Sequence, residues 1–253
     1  HRTRRARPAY DAVMWRLLLA HLAMCISAYG AQAQSTLSDY TEDVLTHVVL
    51  HKLGHALIRE FDLPVLANEE VMADTFATVI VVQKMPERAL AIIAARAAAF
   101  EAEMDEETVF AQHPDDVWRA GQMICLAYGL EPNQFEDLAR DSGMTGDEAA
   151  NCRDSAPEIG RAWRRILAPL QLPTDAQVTE FQGKVSDGEW RDAIIESDLI
   201  DRLRPVMIGF DWHSLITLHF DTCDTGATWF RNGRRILICD NLIARFERQN
   251  AQR

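Results

Sequence analysis

The sequence predicts an α+β protein, mainly α with a small antiparallel β-sheet near its C-terminal end, folded as one domain behind a removable leader. Three observations predict this. Apolar residues recur at helical spacing through most of residues 46–208, whereas residues 215–239 change to short strand-like runs around an Asn-Gly pair. A chain of 253 residues, 48% hydrophobic and 25% charged, has the size and composition of a globular domain. Such a chain can bury a large core without needing a metal or disulfides merely to fold.

The leader comes first. Arg2, Arg4, Arg5, Arg7 and Arg16 precede or open the apolar run Leu17 to Gly30, and Ala31-Gln32-Ala33 follows as a small-x-small cleavage signature. This is the three-part pattern of a secretory signal peptide, with Met14 the expected start and residues 1–33 removed. The run is too short to span about 30 Å of hydrocarbon, so no stable membrane span is expected after cleavage. The mature chain, 34–253, is then expected to be secreted or periplasmic.

Charge narrows the function classes. The whole chain carries 26 basic and 38 acidic side chains, a net −12. Removing the five arginines and one aspartate of residues 1–33 leaves 21 basic against 37 acidic. Broad binding to a nucleic-acid backbone is thereby excluded, because polyanions repel.

Residues 34–45 read as a polar lead-in. From Thr46 to Arg59, Val48, Val49, Leu53, Ala56 and Leu57 mark a helix that Asp62-Leu63-Pro64 ends. Asn68 offers an N-cap for a second helix, with Glu69 and Glu70 favourable in its first turn, running to about Gln83. Pro86 opens an alanine-rich third helix to about Glu103, and a fourth runs from about Pro114 to Gly129, read as its C-terminal glycine. Pro132 to Arg140 is a short fifth; 146–168 is another, with a break expected near Pro157. Residues 174–208 read as one or two more helices, broken around Ser186-Asp187-Gly188. Leu215–Asp221, Ala227–Phe230 and Arg235–Cys239 read as strands of a β-meander over about 214–240, with Asn232-Gly233 the hairpin signal.

Cysteine usage agrees with export. Cys25 lies in the leader; Cys223 and Cys239 flank the hairpin and are expected to close a local loop, which leaves Cys125 for Cys152.

The chemistry is concentrated in the first two helices. His51-Lys52-Leu53-Gly54-His55 places two imidazoles at i and i+4 on one helix face, where both can reach one ion. Glu70 opens the next helix and Asp74 lies one turn beyond it. A zinc hydrolase needs three protein ligands and an open position, and His51, His55 and Glu70 supply the three. Asp74 is placed to hold the other N–H of a ligand histidine. His47 extends the stripe, but its ends lie about 12 Å apart at about 1.5 Å per residue, so 47, 51 and 55 cannot all reach one ion. A packing or supporting role is expected for His47. Glu69 is expected to be exposed at the helix start, and His213 and His219 to be ordinary residues in or beside the tail strand.

These residues resemble a known family. His51 to His55 with Glu70 and Asp74 is similar to the gluzincin pattern, HExxH with a downstream ExxxD. The stretch LHKLGHALIREFDLPVLANEEVMADTFAT resembles a bacterial metallopeptidase-like family known only as a domain of unknown function. The resemblance continues through Trp118 to Tyr128, Cys152 and Trp163, covering about 45–170. The tail, CDTGATWFRNGRRILIC, is similar to a family element that precedes the histidine helix, which implies a permuted order. The resemblance implies a zincin-like fold, a Zn2+ cofactor and a peptide or protein substrate. It also implies a glutamate directly after the first histidine, the general base that takes a proton from the attacking water. Here that position is Lys52. An ordinary lysine is protonated and cannot act as that base, and at about 6 Å and an effective dielectric near 20 it would oppose a dication by on the order of 5 kcal/mol. Structural zinc sites are worth roughly 10–16 kcal/mol, so metal binding can survive. Two readings follow: a metallopeptidase homologue with its base lost, or a non-catalytic pseudopeptidase serving as a metal-binding or protein-binding module.

Overall fold

A computed structural model describes residues 36–65, 68–103, 116–173 and 181–253, all within one compact unit. The expected leader, residues 1–33, lies outside the described residues.

Helix α1 (Asp39–Glu60) is the central post. Ser38 caps it, its hydroxyl accepting from the Thr41 N–H, so the helix begins seven residues before the expected Thr46. The lead-in looks polar, but Tyr40, Thr41 and Asp43 are buried. Nearly every residue from Tyr40 to Ile58 is buried, the mark of a helix enclosed on all sides. Asp62, in the left-handed region at φ 48°, turns the chain out before Pro64. Helix α2 (Glu69–Lys84) starts as expected, with Asn68 Oδ1 accepting the Glu70 N–H at 2.8 Å.

Gly54, between the two site histidines, sets the approach of α2. A Cβ there would lie 3.0 Å from Ala73 Cα and 3.2 Å from the Phe76 ring. A side chain there would make α2 give by a few tenths of an ångström, so the glycine lets the two helices approach this closely.

Helices α3 (Ala89–Ala102), α4 (Asp116–Leu130), α5 (Pro132–Asp141) and α6 (Gly146–Leu167) complete the helical layer. Gly129 does not end α4. It lies within the helix, and a Cβ there would fall 2.1 Å from the Cys152 carbonyl oxygen, so the glycine permits close packing on α6. Pro157 does not break α6, which runs through it behind a Thr145–Glu148 capping box. The Cys125–Cys152 disulfide joins α4 to α6 with Cα atoms 5.2 Å apart.

The remainder is a four-stranded sheet of β1 (Phe181–Val185), β2 (Ile216–Asp221), β3 (Ala227–Phe230) and β4 (Arg235–Cys239), in the order β1-β2-β4-β3. The α+β class holds, but the sheet is mixed rather than an antiparallel meander. β2 runs parallel to both β1 and β4, and only β3 and β4 pair antiparallel. The hairpin at Asn232-Gly233 closes through a turn of 3-10 helix, Arg231–Gly233, with Arg234 at φ 44° taking the left-handed place. β1 falls within the segment expected to be helical. Its sequence, Phe-Gln-Gly-Lys-Val, is mostly exposed, and its partner β2 lies beyond α7 (Arg191–Glu196) and α8 (Leu199–Met207), the crossover a parallel pair requires. Cys223–Cys239 ties the β2–β3 connection to the end of β4, from which α9 (Asp240–Ala251) follows directly.

β3, at the sheet's edge, and α9 both rest against α1. The histidine helix is therefore held between the helical layer and the sheet.

Candidate metal centre

The i, i+4 spacing on α1 and the first turn of α2 bring His51, His55 and Glu70 together, with one donor atom from each within 4.8 Å of the others. His51 Nε2 is 3.0 Å from Glu70 Oε2, His55 Nε2 is 3.1 Å from Glu70 Oε1, and the two Nε2 atoms are 3.1 Å apart.

Both rings are held from behind. His51 Nδ1 lies 2.7 Å from Asp74 Oδ1, and His55 Nδ1 lies 2.6 Å from Glu69 Oε1. A carboxylate only accepts, so each Nδ1 carries the proton and each Nε2 presents a lone pair inward. Two lone pairs and a carboxylate meeting at about 3 Å repel one another unless something positive lies between them. The donor chemistry fits a divalent metal ion: two ligands at about 2.0–2.1 Å and a tetrahedral angle would stand about 3.3 Å apart.

Asp74 thus takes the expected place behind His51. Glu69 does not take the exposed place expected of it. Its carboxylate holds His55 and accepts from Arg59 Nε at 2.8 Å. Consecutive helical residues point about 100° apart, and Glu69 and Glu70 use this to reach opposite sides of one imidazole.

Arg119 is a site residue that sequence reasoning missed. Its Nε and Nη2 donate to Asp74 at 2.7 and 3.0 Å, and Nη1 is 3.3 Å from Asp116. A two-pronged guanidinium fixes both carboxylate oxygens of Asp74. The available signal was an arginine on the apolar face of α4, in line with Met123 and Leu126.

The electrostatics follow from burial and pairing. Burial would raise the Glu70 carboxyl; a second proton on the His51 or His55 ring, the positive charge at hand before any ion binds, opposes this and holds it far below the usual range. Asp74 is likewise raised by burial and lowered further by His51 and Arg119, ending well below normal. Burial pulls His51 down, against Asp74. Lys52 is lowered by burial, opposed by Glu70, with Arg119 and Arg96 adding to the lowering.

Among the other histidines, His47 is fully buried, and neither ring nitrogen has a hydrogen-bond partner. It packs in the core and is not a ligand. His219 lies on β2 with Nε2 2.9 Å from Ser186 Oγ, and His213 stacks near Phe61 at 5.8 Å; neither joins the cluster.

A cavity of about 560 Å³ opens beside the triad, lined by His51, Lys52 and Glu70 and also by Asp224 to Ala227, which lead into β3.

No curated protein and no solved structure matches the chain. One family model does, that described as "Putative metallopeptidase", over residues 11–167. The matched stretch contains all of α1 and α2 and stops at the end of α6, before the sheet. With more than half its length matched, this chain belongs to that family.

Proposed function

We propose that the protein is an exported, zinc-binding metallopeptidase homologue that takes peptides as its ligands and whose hydrolytic step is disabled at Lys52. The convergence of His51 Nε2, His55 Nε2 and Glu70 on one point, each imidazole backed by a carboxylate, carries this reading. Zinc bound there would supply Lewis acidity toward a peptide carbonyl. The chain's own residues do the rest. Asp74 and Glu69 fix the tautomer and tilt of the ligand rings, and Arg119 fixes Asp74. Asp224 to Ala227, which lead into β3, line the same cavity as His51 and Glu70 and offer backbone along which an extended peptide can lie. Export is supported by the leader pattern and by two disulfides, and no helix among the described residues is long and apolar enough to cross a membrane.

Lys52 is where hydrolysis stops. The position needs a group that accepts a proton beside the ligands, and an ammonium has none to accept with. That observation favours the second reading as well, a pseudopeptidase that binds without cutting. Lys52→Glu separates the two. If the cleft is intact, it should tighten zinc and raise chelator-sensitive peptide hydrolysis by about 10²–10⁴, the usual worth of a positioned base. His51→Ala in the same background should abolish the gain. A Lys52→Glu protein that binds zinc but cleaves nothing in a broad peptide library would establish the binding module instead. Chelator-sensitive cleavage by the unmodified protein would show that Lys52 does not disable the site.

A further inference from the structure

The cavity beside the triad is dense in charge of both signs. Five cationic side chains line it, Lys52, Arg96, Arg119, Arg245 and Arg248, together with the carboxylates of Glu70, Glu103, Asp116 and Asp224. Arg119 is matched by Asp74 and Asp116. Glu103 stands between Arg96 and Arg245 at 3.9 and 3.5 Å, too far from either for a good hydrogen bond. Arg96 is only 9% exposed, and its Nη1 has no hydrogen-bond partner. Its guanidinium lies 3.6 Å over the Phe100 ring, which fixes its plane. Among the described residues, then, Lys52 and Arg248 have no carboxylate within ion-pair distance, and Arg96 is buried with a donor unmet.

A buried cation with an unmet donor is costly unless a ligand supplies the acceptor. Arginine and lysine together suit an anion with planar oxygens. The anion a peptide brings is a carboxylate. We propose that this cavity recognises a carboxylate of the bound peptide, held by Lys52 and Arg96 beside the metal site, with Arg248 at the rim drawing the ligand in. The position that lost its base has thereby become a binding position. The carboxylate can come from an acidic side chain or from the peptide's C-terminus. The inference rests on the peptide-ligand reading above, and a volume of about 560 Å³ has room for a short peptide segment.

The test is calorimetric titration of the whole mature protein, zinc content being measured on the same samples. Three acetylated tetrapeptides of otherwise equal sequence serve as probes: glutamate with an amidated end, glutamine with an amidated end, and glutamine with a free C-terminal carboxylate. At least one carboxylate peptide should bind about tenfold or more tighter than the neutral one, and which one does so identifies the source. Lys52→Met should remove most of that preference and Lys52→Arg should keep it. Arg248→Met, an exposed change that spares the core, should weaken the same peptide if Lys52→Met does not fold. Binding of all three peptides within about twofold, or a preference indifferent to these variants, overturns the inference. One zinc per chain without a carboxylate preference sinks only this inference. A carboxylate preference in protein that takes up no zinc sinks only the metal reading.

Discussion

Asp74 shows how much of the site depends on residues that would never touch an ion. One of its oxygens accepts from His51 Nδ1 and from Arg119, and the other from Arg119 alone. Asp74→Asn keeps the shape but can present an N–H where His51 needs an acceptor. Zinc affinity should fall about 10–100-fold, measured by chelator competition, while the helical circular dichroism is unchanged. His47 makes a separate prediction. Burial lowers its pKa to about 3, with Asp74 opposing and Arg96, His51 and Arg119 adding to the lowering. Unfolded, the ring takes a proton near pH 6.5; folded, it does not until about pH 3. The unfolded chain therefore binds more protons throughout that window, and stability present above pH 6.5 is lost as pH falls through it, levelling off near 3. His47→Leu removes this contribution. Between pH 8 and pH 5 the variant should lose about 2 kcal/mol less stability than the parent in urea titrations. Equal acid sensitivity of the two would show that His47 can charge in place. The sequence made His51, His55, Glu70 and Asp74 legible because each is a chemically distinctive residue at a fixed helical spacing. It hid Glu69 and Arg119 because their roles depend on which way a helix is rotated and on a contact between α2 and α4.

The pairing of α1 with α2 is what turns those spacings into a site. Gly54 lies at the crossing, and adding a side chain there presses on Ala73, one residue before Asp74. Gly54→Val should destabilise the fold by about 1–3 kcal/mol through overpacking. It should also weaken zinc, because Glu70 and Asp74 move away together with α2. Gly54→Ala should be milder, since a gain of about 1 kcal/mol in helix propensity offsets part of the clash. Unchanged zinc affinity in Gly54→Val would mean that the helix spacing does not set the ligand geometry. The same dependence on tertiary contact decided which elements could be read from sequence. The long helices have periodic apolar faces, and three strands have dense β-branched or aromatic runs, so both kinds were legible. β1 has neither, because Gln182, Gly183 and Lys184 are exposed and its pairing depends on a partner 35 residues away at Ile216. α1 began earlier than its apolar pattern because its first turns are buried by packing against α9, with Tyr40 Oη bonded to Gln249 and Ser38 to Glu247.

At the scale of the molecule, family membership and fold agree on where function lies. The matched residues end with α6, yet the cavity beside the triad is also lined by residues of the β2–β3 connection and α9. The sheet therefore shapes what enters the site, while the helical layer supplies the donors. Two disulfides hold these parts, one within each, which is consistent with an oxidising compartment. Central to the proposed function is that the three donors hold a metal ion. Elemental analysis of the purified mature protein, grown with zinc and dialysed without chelator, measures that directly. The account predicts close to one zinc per chain in the parent and close to none in His51→Ala. Parent protein that carries almost no zinc, or a His51→Ala variant that carries as much as the parent, would contradict it.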